Sequence, residues 1–319
     1  MDFFLVTDVI LLCLLFPAIF LNALVVYILF RQKKFSSSLR LIVFLSLSDF
    51  LHAITILPYA IYIALHWAPD HIDMDPYITL MSSTPLVMQL KVNLTLTVFV
   101  ALDRALALYF PVRYRAFPQS NFANAGLLLG IVLGACDLLV EFMVSPFRRV
   151  PNCGAMGCFV SLRFREYWGT SNMVLGALVI SLTVLVLARL QRLRMDQTAS
   201  GSRSGSNKFA QANRTAIGFL LCSLLFLTIP SVVVGGAEII GISLFNYIGP
   251  FYALGLLCAS CSNSVILLVL NKEMRRFVRT FIRGTNSRAS HLFSQRHNCE
   301  AAVSIVKPCS TSQVFTVTR

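Results

Sequence analysis

A chain of 319 residues with 56% hydrophobic residues, only 13% charged residues and a mean hydropathy of +0.73 is too apolar for a water-soluble globular protein. A formal charge of +13 would point a soluble protein towards nucleic acid, but here the basic residues sit between long apolar runs, and no nucleic-acid partner is expected. Seven runs of about 20 residues, each able to cross about 30 Å of hydrocarbon, predict an all-α integral membrane protein built as a seven-transmembrane helix bundle.

In chain order the spans are predicted at about 6–30, 39–65, 78–103, 122–145, 167–188, 216–237 and 246–270. The connections between them sort the basic residues: 22 of the 27 lysines and arginines fall on one side. Only Arg148, Arg149, Arg163 and Arg165 fall on the other, and Lys91 lies within a span. Cytoplasmic loops carry such an excess, which predicts an N-terminus outside the cell and a C-terminus in the cytoplasm. The first run has no basic leader and no small-residue cleavage site, so it is expected to remain as a signal anchor.

Span one holds Asn22-Ala23-Leu24-Val25, and an asparagine in hydrocarbon needs hydrogen-bond partners on neighbouring helices. Taken alone it is more often structural glue than a site. Span two places Asp49 after Leu45-Ser46-Leu47-Ser48, with Pro58 beyond it. A mid-span acid must be paired, hydrated or protonated, which leaves both a neutral hydrogen-bonded Asp49 and an ion site open. Span three ends on Asp103-Arg104, and Pro111 and Tyr114 follow in the next connection. A plain juxtamembrane charge cluster is the alternative reading of that pair. Span six carries Pro230, preceded by Phe226-Leu227-Thr228-Ile229, and span seven carries Ser260, Asn263 and Ser264. Beyond span seven, apolar Met274, Phe277, Val278, Phe281 and Ile282 alternate at helical spacing with Lys272, Arg275, Arg276, Arg279 and Arg283. That pattern predicts an amphipathic helix, 272–283, lying on an anionic membrane surface.

Together these signatures resemble the rhodopsin-like (class A) G-protein-coupled receptors, over about residues 15–285. Asp103-Arg104 with Pro111 and Tyr114 is similar to the family's Asp-Arg-Tyr motif and second intracellular loop, with Ala105 in place of the tyrosine. Asn22 and Val25 resemble its Asn-x-x-Val, and Asp49 its span-two acid. Pro230 matches the span-six proline, with Thr228 at the tryptophan position. Asn263-Ser264-Val265-Ile266-Leu267 resembles Asn-Pro-x-x-Tyr with both proline and tyrosine replaced. Such departures, and the run Leu106 to Pro111, are similar to the nematode serpentine chemoreceptor groups, Srbc or Srsx.

The resemblance implies a receptor domain over 1–285 and a disordered cytoplasmic tail over 286–319. It implies a switch made of Asp103, Arg104, Pro111, Tyr114, Pro230 and Asn263, and a polar core of Asn22, Asp49, Asn93, Ser260 and Asn263, with bound sodium near Asp49 as one reading of it. Asp103 is expected to neutralise Arg104 at rest. Agonist binding then swings span six outward about Pro230, and Arg104 receives the C-terminal segment of a heterotrimeric G-protein α subunit. Arrestin and a receptor kinase are further implied partners of the Ser/Thr-rich tail, and membrane lipid of the surface helix. The implied location is the plasma membrane, in a sensory cilium for a chemoreceptor. No cofactor is expected, and an enzyme is not, since no nucleophile–base pair or phosphate-binding loop is present in the sequence.

The ligand side is less specific. Leu86 stands where aminergic relatives have an aspartate, so amines held in that way are not expected. Lys91 needs a counter-charge, and span four brings Asp137 or Glu141 to its depth. Such a pair serves either packing alone or the floor of a ligand pocket. Tyr59, Tyr62, Gln89, Glu238 and Tyr247 complete the candidate pocket residues. Thr79 replaces the family's span-three cysteine, and Cys153 and Cys158 form either a local bridge or two free thiols. Acidic Asp70, Asp73 and Asp75 read as a solvated loop, with weak cation binding as the alternative. Neither Asn93-Leu94-Thr95 nor Asn213-Arg214-Thr215 is a usable glycosylation site, because one lies in the membrane and the other in the cytoplasm. The rival classes are a receptor-like partner or chaperone that does not couple, and a seven-span ligand-gated channel or transporter.

Overall fold

A computed structural model of the chain describes residues 2–31, 40–68, 72–116, 118–199, 207–241, 250–272 and 274–280. Among them seven helices are long and apolar enough to cross a membrane: Leu5–Arg31, Arg40–Leu65, Pro76–Tyr109, Gln119–Val144, Leu162–Leu193, Gln211–Ile239 and Phe251–Leu270. These spans, one to seven, belong to a unit that ends at Asn271. A separate unit begins at Lys272, and its residues 274–280 are helical, with Arg275, Arg276 and Arg279 exposed. The rest of the expected surface helix, 281–283, and the tail over 286–319 lie outside the described residues.

Local chemistry sets the helix ends. The Asp75 side chain accepts the N–H groups of Tyr77 (2.9 Å) and Ile78 (3.2 Å), capping span three, while Pro76 at the first helical position has no N–H to satisfy. Span three continues beyond the predicted end at 103 to Tyr109, because the first breaker is Pro111, which forces the preceding Phe110 out of helical geometry. Pro111 then opens a short helix, Pro111–Ala116. Span two is interrupted at Ile56, between Arg40–Thr55 and Leu57–Leu65, just ahead of Pro58. In span six the turn before Pro230 widens to a π-helix, Leu224–Thr228. Pro230 has no N–H to give to the fourth residue back, Phe226, and the wider turn relieves the clash of its ring. Span seven, with Ser264 rather than proline, is one unbroken helix from Phe251 to Leu270.

Span three is the bundle's axis, with every residue from Gln89 to Val98 buried. Span four meets it with a single buried stripe: Ala123, Gly126, Gly130, Gly134, Asp137 and Glu141. Small residues let the two backbones close up, and a Cβ at Gly130 would sit 3.2 Å from the Val92 Cα. Phe16, Phe20, Leu128, Leu139 and Val184 point outward, as lipid-facing positions should. The connection between spans four and five folds inward, carrying Met156 and Phe159 into the apolar core with Tyr59, Phe164 and Trp168.

Spans six and seven approach through backbone. A Cβ added to Gly255 would lie 2.6 Å from the Phe226 carbonyl oxygen, a main-chain atom that cannot rotate away. Gly255→Val is therefore expected to cost about 1–3 kcal/mol, the usual overpacking penalty, and to lower the thermal midpoint of the purified protein. An unchanged midpoint would show that the two helices separate easily at this level.

Candidate functional site

At the end of span three that carries the acid–arginine pair, four side chains form a polar clasp. Arg104 Nε donates to Asp103 Oδ2 at 2.9 Å, and its Nη2 bonds the same oxygen. The Tyr114 hydroxyl, from the Pro111–Ala116 helix, donates to Asp103 Oδ1 at 2.9 Å and accepts from Arg104 Nη2 at 3.3 Å. Arg104 Nη1 reaches Asn213 Oδ1 of span six at 3.4 Å. Both Asp103 and Arg104 are buried, so these charge-assisted bonds are little screened. A small cleft lined by Leu41, Ile42, Val100, Asp103, Arg104, Ala212 and Ala216 lies beside the clasp. Pro111 starts the helix that presents Tyr114 to the acid–arginine pair. Just above, the Tyr109 hydroxyl donates to the Leu185 carbonyl at 3.3 Å, and the Arg189 guanidinium lies 5.5 Å from the Tyr109 ring.

Midway through the bundle, Asp49 gathers amide donors from two spans. Asn93 Nδ2 (2.9 Å) and Gln89 Nε2 (3.1 Å) donate to Oδ1, and Asn263 Nδ2 (3.1 Å) donates to Oδ2. Gln89 therefore belongs to this core; its Nε2 also reaches Ser48 Oγ at 3.3 Å. Alongside, Asn22 donates to Ser260 Oγ at 2.7 Å and accepts from Ser264 Oγ at 2.8 Å, which ties span one to span seven. Ser264, the residue in the proline's place, thus supplies a hydrogen bond where the family's residue could not. Ser223 of span six donates to Thr97 Oγ1 at 3.2 Å, extending the polar contacts to a further helix. Hard cations take oxygen ligands, and Asn93 Oδ1 and Asn263 Oδ1 are buried without a partner among the described residues. With Asp49 they match a sodium ion in ligand type.

Towards the opposite end, Lys91 Nζ lies 3.1 Å from Asp137 Oδ2 and donates to Ser171 Oγ at 2.7 Å. Asp137 Oδ1 accepts from the Tyr167 hydroxyl at 3.0 Å. Of the two expected counter-charges, Asp137 is the one in contact; Glu141 is buried one turn further on. The Glu238 carboxylate faces Arg165 at 4.0 Å, and Arg165 Nη1 donates to the Gly157 carbonyl at 3.2 Å. Trp168 and Tyr252 meet edge to face between spans five and seven, with centroids 5.0 Å apart.

Cys153 and Cys158 are bridged, closing the inward loop as a small ring. The Tyr59 hydroxyl accepts the Met156 N–H at 3.2 Å and so pins that ring to span two, while the Tyr62 hydroxyl accepts the Asp75 N–H at 2.8 Å. Those two tyrosines hold the loops at this end, and Leu86 is packed in the apolar core. Asp73 pairs with Arg149 at 3.1 Å, and Asp75 lies 3.9 Å from it, so the acidic loop faces a protein cation. Tyr247 and Asp70 lie outside the described residues.

Reading by motif missed Asn213, Ser171, Tyr167 and Ser264 as partners. Asn213 stood in view only as part of a glycosylation pattern. Its one available signal is its place near the start of span six, on the side of the membrane shared by Arg104.

Seven membrane-length helices around a buried acid–arginine clasp and a hydrogen-bonded polar core define a multi-pass seven-helix membrane protein. A family model for serpentine type 7TM GPCR chemoreceptors, Srbc, matches residues 1–273. The chain belongs to that family. A search of curated proteins gives no match.

Proposed function

We propose that the chain is a chemosensory receptor that binds a small molecule between its helices at the disulfide end and activates a heterotrimeric G protein at the Arg104 end. The observation that carries this reading is the clasp of Asp103, Arg104, Tyr114 and Asn213, which ties span three to span six beside a cleft. The excess of basic residues on that side supports a cytoplasmic placement, with the N-terminus and the Cys153–Cys158 loop outside.

The mechanism follows from what each residue touches. At rest Asp103 and Tyr114 hold Arg104, and Asn213 keeps span six closed over the cleft. A ligand that binds better to the open arrangement shifts the equilibrium towards it. The π turn at Leu224–Thr228, ahead of Pro230, is the hinge, since its backbone is already off the regular helical ladder. Outward movement breaks the Arg104–Asn213 contact and frees Arg104 to receive the C-terminal segment of the α subunit. Asp49, Asn93, Asn263 and the Asn22–Ser260–Ser264 bonds link spans one, two, three and seven, so the moving helix works against a fixed frame. Sodium at Asp49, with Asn93 and Asn263, would supply a counter-charge to the resting frame.

Receptor kinase and arrestin act on the tail beyond Gly284 in this reading, membrane lipid meets the basic helix at 274–280, and the plasma membrane, in a sensory cilium, is the site of action. Leu267, buried where the family has a tyrosine, favours one second reading: a receptor-like partner that does not couple. Two measurements decide. An N-terminal tag should stain in unpermeabilised cells; staining only after permeabilisation overturns the orientation. Asn213→Ala should raise agonist-independent release of Gα from Gβγ; silence in both wild type and this variant at full surface level favours the non-coupling partner.

A further inference from the structure

The stripe that span four turns towards span three changes chemistry along its length. Glycines at 126, 130 and 134 give way to two acids, Asp137 and Glu141. Asp137 is fully engaged, by Lys91 at 3.1 Å and the Tyr167 hydroxyl at 3.0 Å. Lys91 in turn donates to Ser171 at 2.7 Å. Glu141 is 0% exposed, and neither carboxyl oxygen has a hydrogen-bond partner among the described residues. It lies three residues from the end of the helix Gln119–Val144, about 4.5 Å along the axis. The helix ends at Val144, the Ser145 N–H caps the Glu141 carbonyl at 3.0 Å, and the connection that follows holds the Cys153–Cys158 ring.

Two buried carboxyl groups lie one turn apart on span four, and the ammonium of Lys91 is paired with the deeper of them. Resting on the receptor reading above, we propose that Glu141 is the counter-charge for a ligand ammonium, so that the ligand is a small organic cation of the protonated-amine class entering past the disulfide loop. A buried carboxylate gains most from a cationic donor, whose N–H bonds to it are short and strong. An anionic ligand would have to pull Lys91 away from Asp137 and strand that acid in a low-dielectric interior. Leu86 offers no acid at its level of span three, so the ammonium is held from span four instead.

The test uses purified full-length receptor warmed with short alkyl monoamines and with alcohols and carboxylic acids of the same skeletons. Amines should raise the thermal midpoint in a saturable way; the other two series should not. Glu141→Gln keeps the shape of the side chain and should weaken amine binding by at least about thirty-fold, as loss of one partner of a buried charged pair does. Asp8→Asn makes the same change at another buried, unpartnered acid on span one and should leave amine binding intact. A carboxyl with only a packing role predicts equal binding by wild type and Glu141→Gln, and that result overturns the proposal. So does the absence of any midpoint shift with the amines, or an equal shift with the acids or alcohols. Amine binding without G-protein release would instead sink the coupling receptor while leaving the cation site standing. Arg104-dependent release with no amine binding would do the reverse.

Discussion

Replacing Arg104 with alanine is expected to abolish Gα release, both agonist-independent and odorant-stimulated, in cells matched for surface receptor. The side chain has two jobs in the proposed cycle, and they pull in opposite directions. Its bond to Asn213 holds span six closed, and a neutral–charged contact at 3.4 Å is at the weak end of its class. Losing it frees about 0.5–1.5 kcal/mol, enough to raise the open population roughly two- to tenfold. Its second job is to receive the α-subunit tail, and Arg113 and Arg115, exposed on the Pro111–Ala116 helix, stand outside the clasp. Loss of coupling therefore outweighs loss of the clasp in Arg104→Ala, whereas Asn213→Ala loses the clasp alone and gains basal activity. Tyr114→Phe should fall on the same side as Asn213→Ala, because it removes the hydroxyl that helps Asp103 retain the arginine. Equal signal from wild type and Arg104→Ala would show that this arginine is not the switch.

Breaking the Lys91–Asp137 pair from one side should remove most receptor from the cell surface. Both side chains are almost wholly buried and 3.1 Å apart. Stranding either charge typically costs 3–5 kcal/mol, against a total stability of about 5–15 kcal/mol. Lys91→Met leaves Asp137 with the Tyr167 hydroxyl but no cation; Asp137→Leu leaves Lys91 with Ser171 but no anion. The double change Lys91→Met with Asp137→Leu removes both charges and should restore surface level, since replacing a whole buried pair by apolar groups is often neutral. Reversing the charges (Lys91→Asp with Asp137→Lys) should restore it too, though less completely, because Ser171 and Tyr167 were placed for the original polarity. If neither double variant recovers, the pair is not what the single variants disturb. A recovered double variant that no longer answers any odorant would mark the pair as part of the ligand pocket and not of packing alone.

The glycine stripe and the acid stripe of span four show how function and fold divide along one helix. Gly130 and Gly134 draw spans three and four into backbone contact at Val92 and Met88, and Gly126 makes room for the Phe99 ring. Beyond them Asp137 and Glu141 need room and partners, and the helices carry polar groups between them instead. The same division recurs in span seven. Ser260 and Ser264 hold Asn22, while Gly255 lets the Phe226 carbonyl come close.

Much of this was legible in the chain itself. Length, composition and the rhythm of apolar runs determined seven helices, because hydrocarbon offers backbone groups no partner and a helix satisfies its own. Asp103-Arg104, Asp49 and Asn263 stood out for a similar reason: a polar group in hydrocarbon must have a function or a partner. The two acids near the level of Lys91 narrowed its partner to Asp137 or Glu141, since helix geometry relates depth to residue number. Only the tertiary structure chose between them, because both acids face the same way about one turn apart, and the relative height of spans three and four decides which one the ammonium meets. It alone brought Asn213 to Arg104 across 109 residues and Ser264 to Asn22 across 242. Those contacts follow from how the helices lean against each other, and helix crossing is set by the packing of whole faces rather than by any local signal.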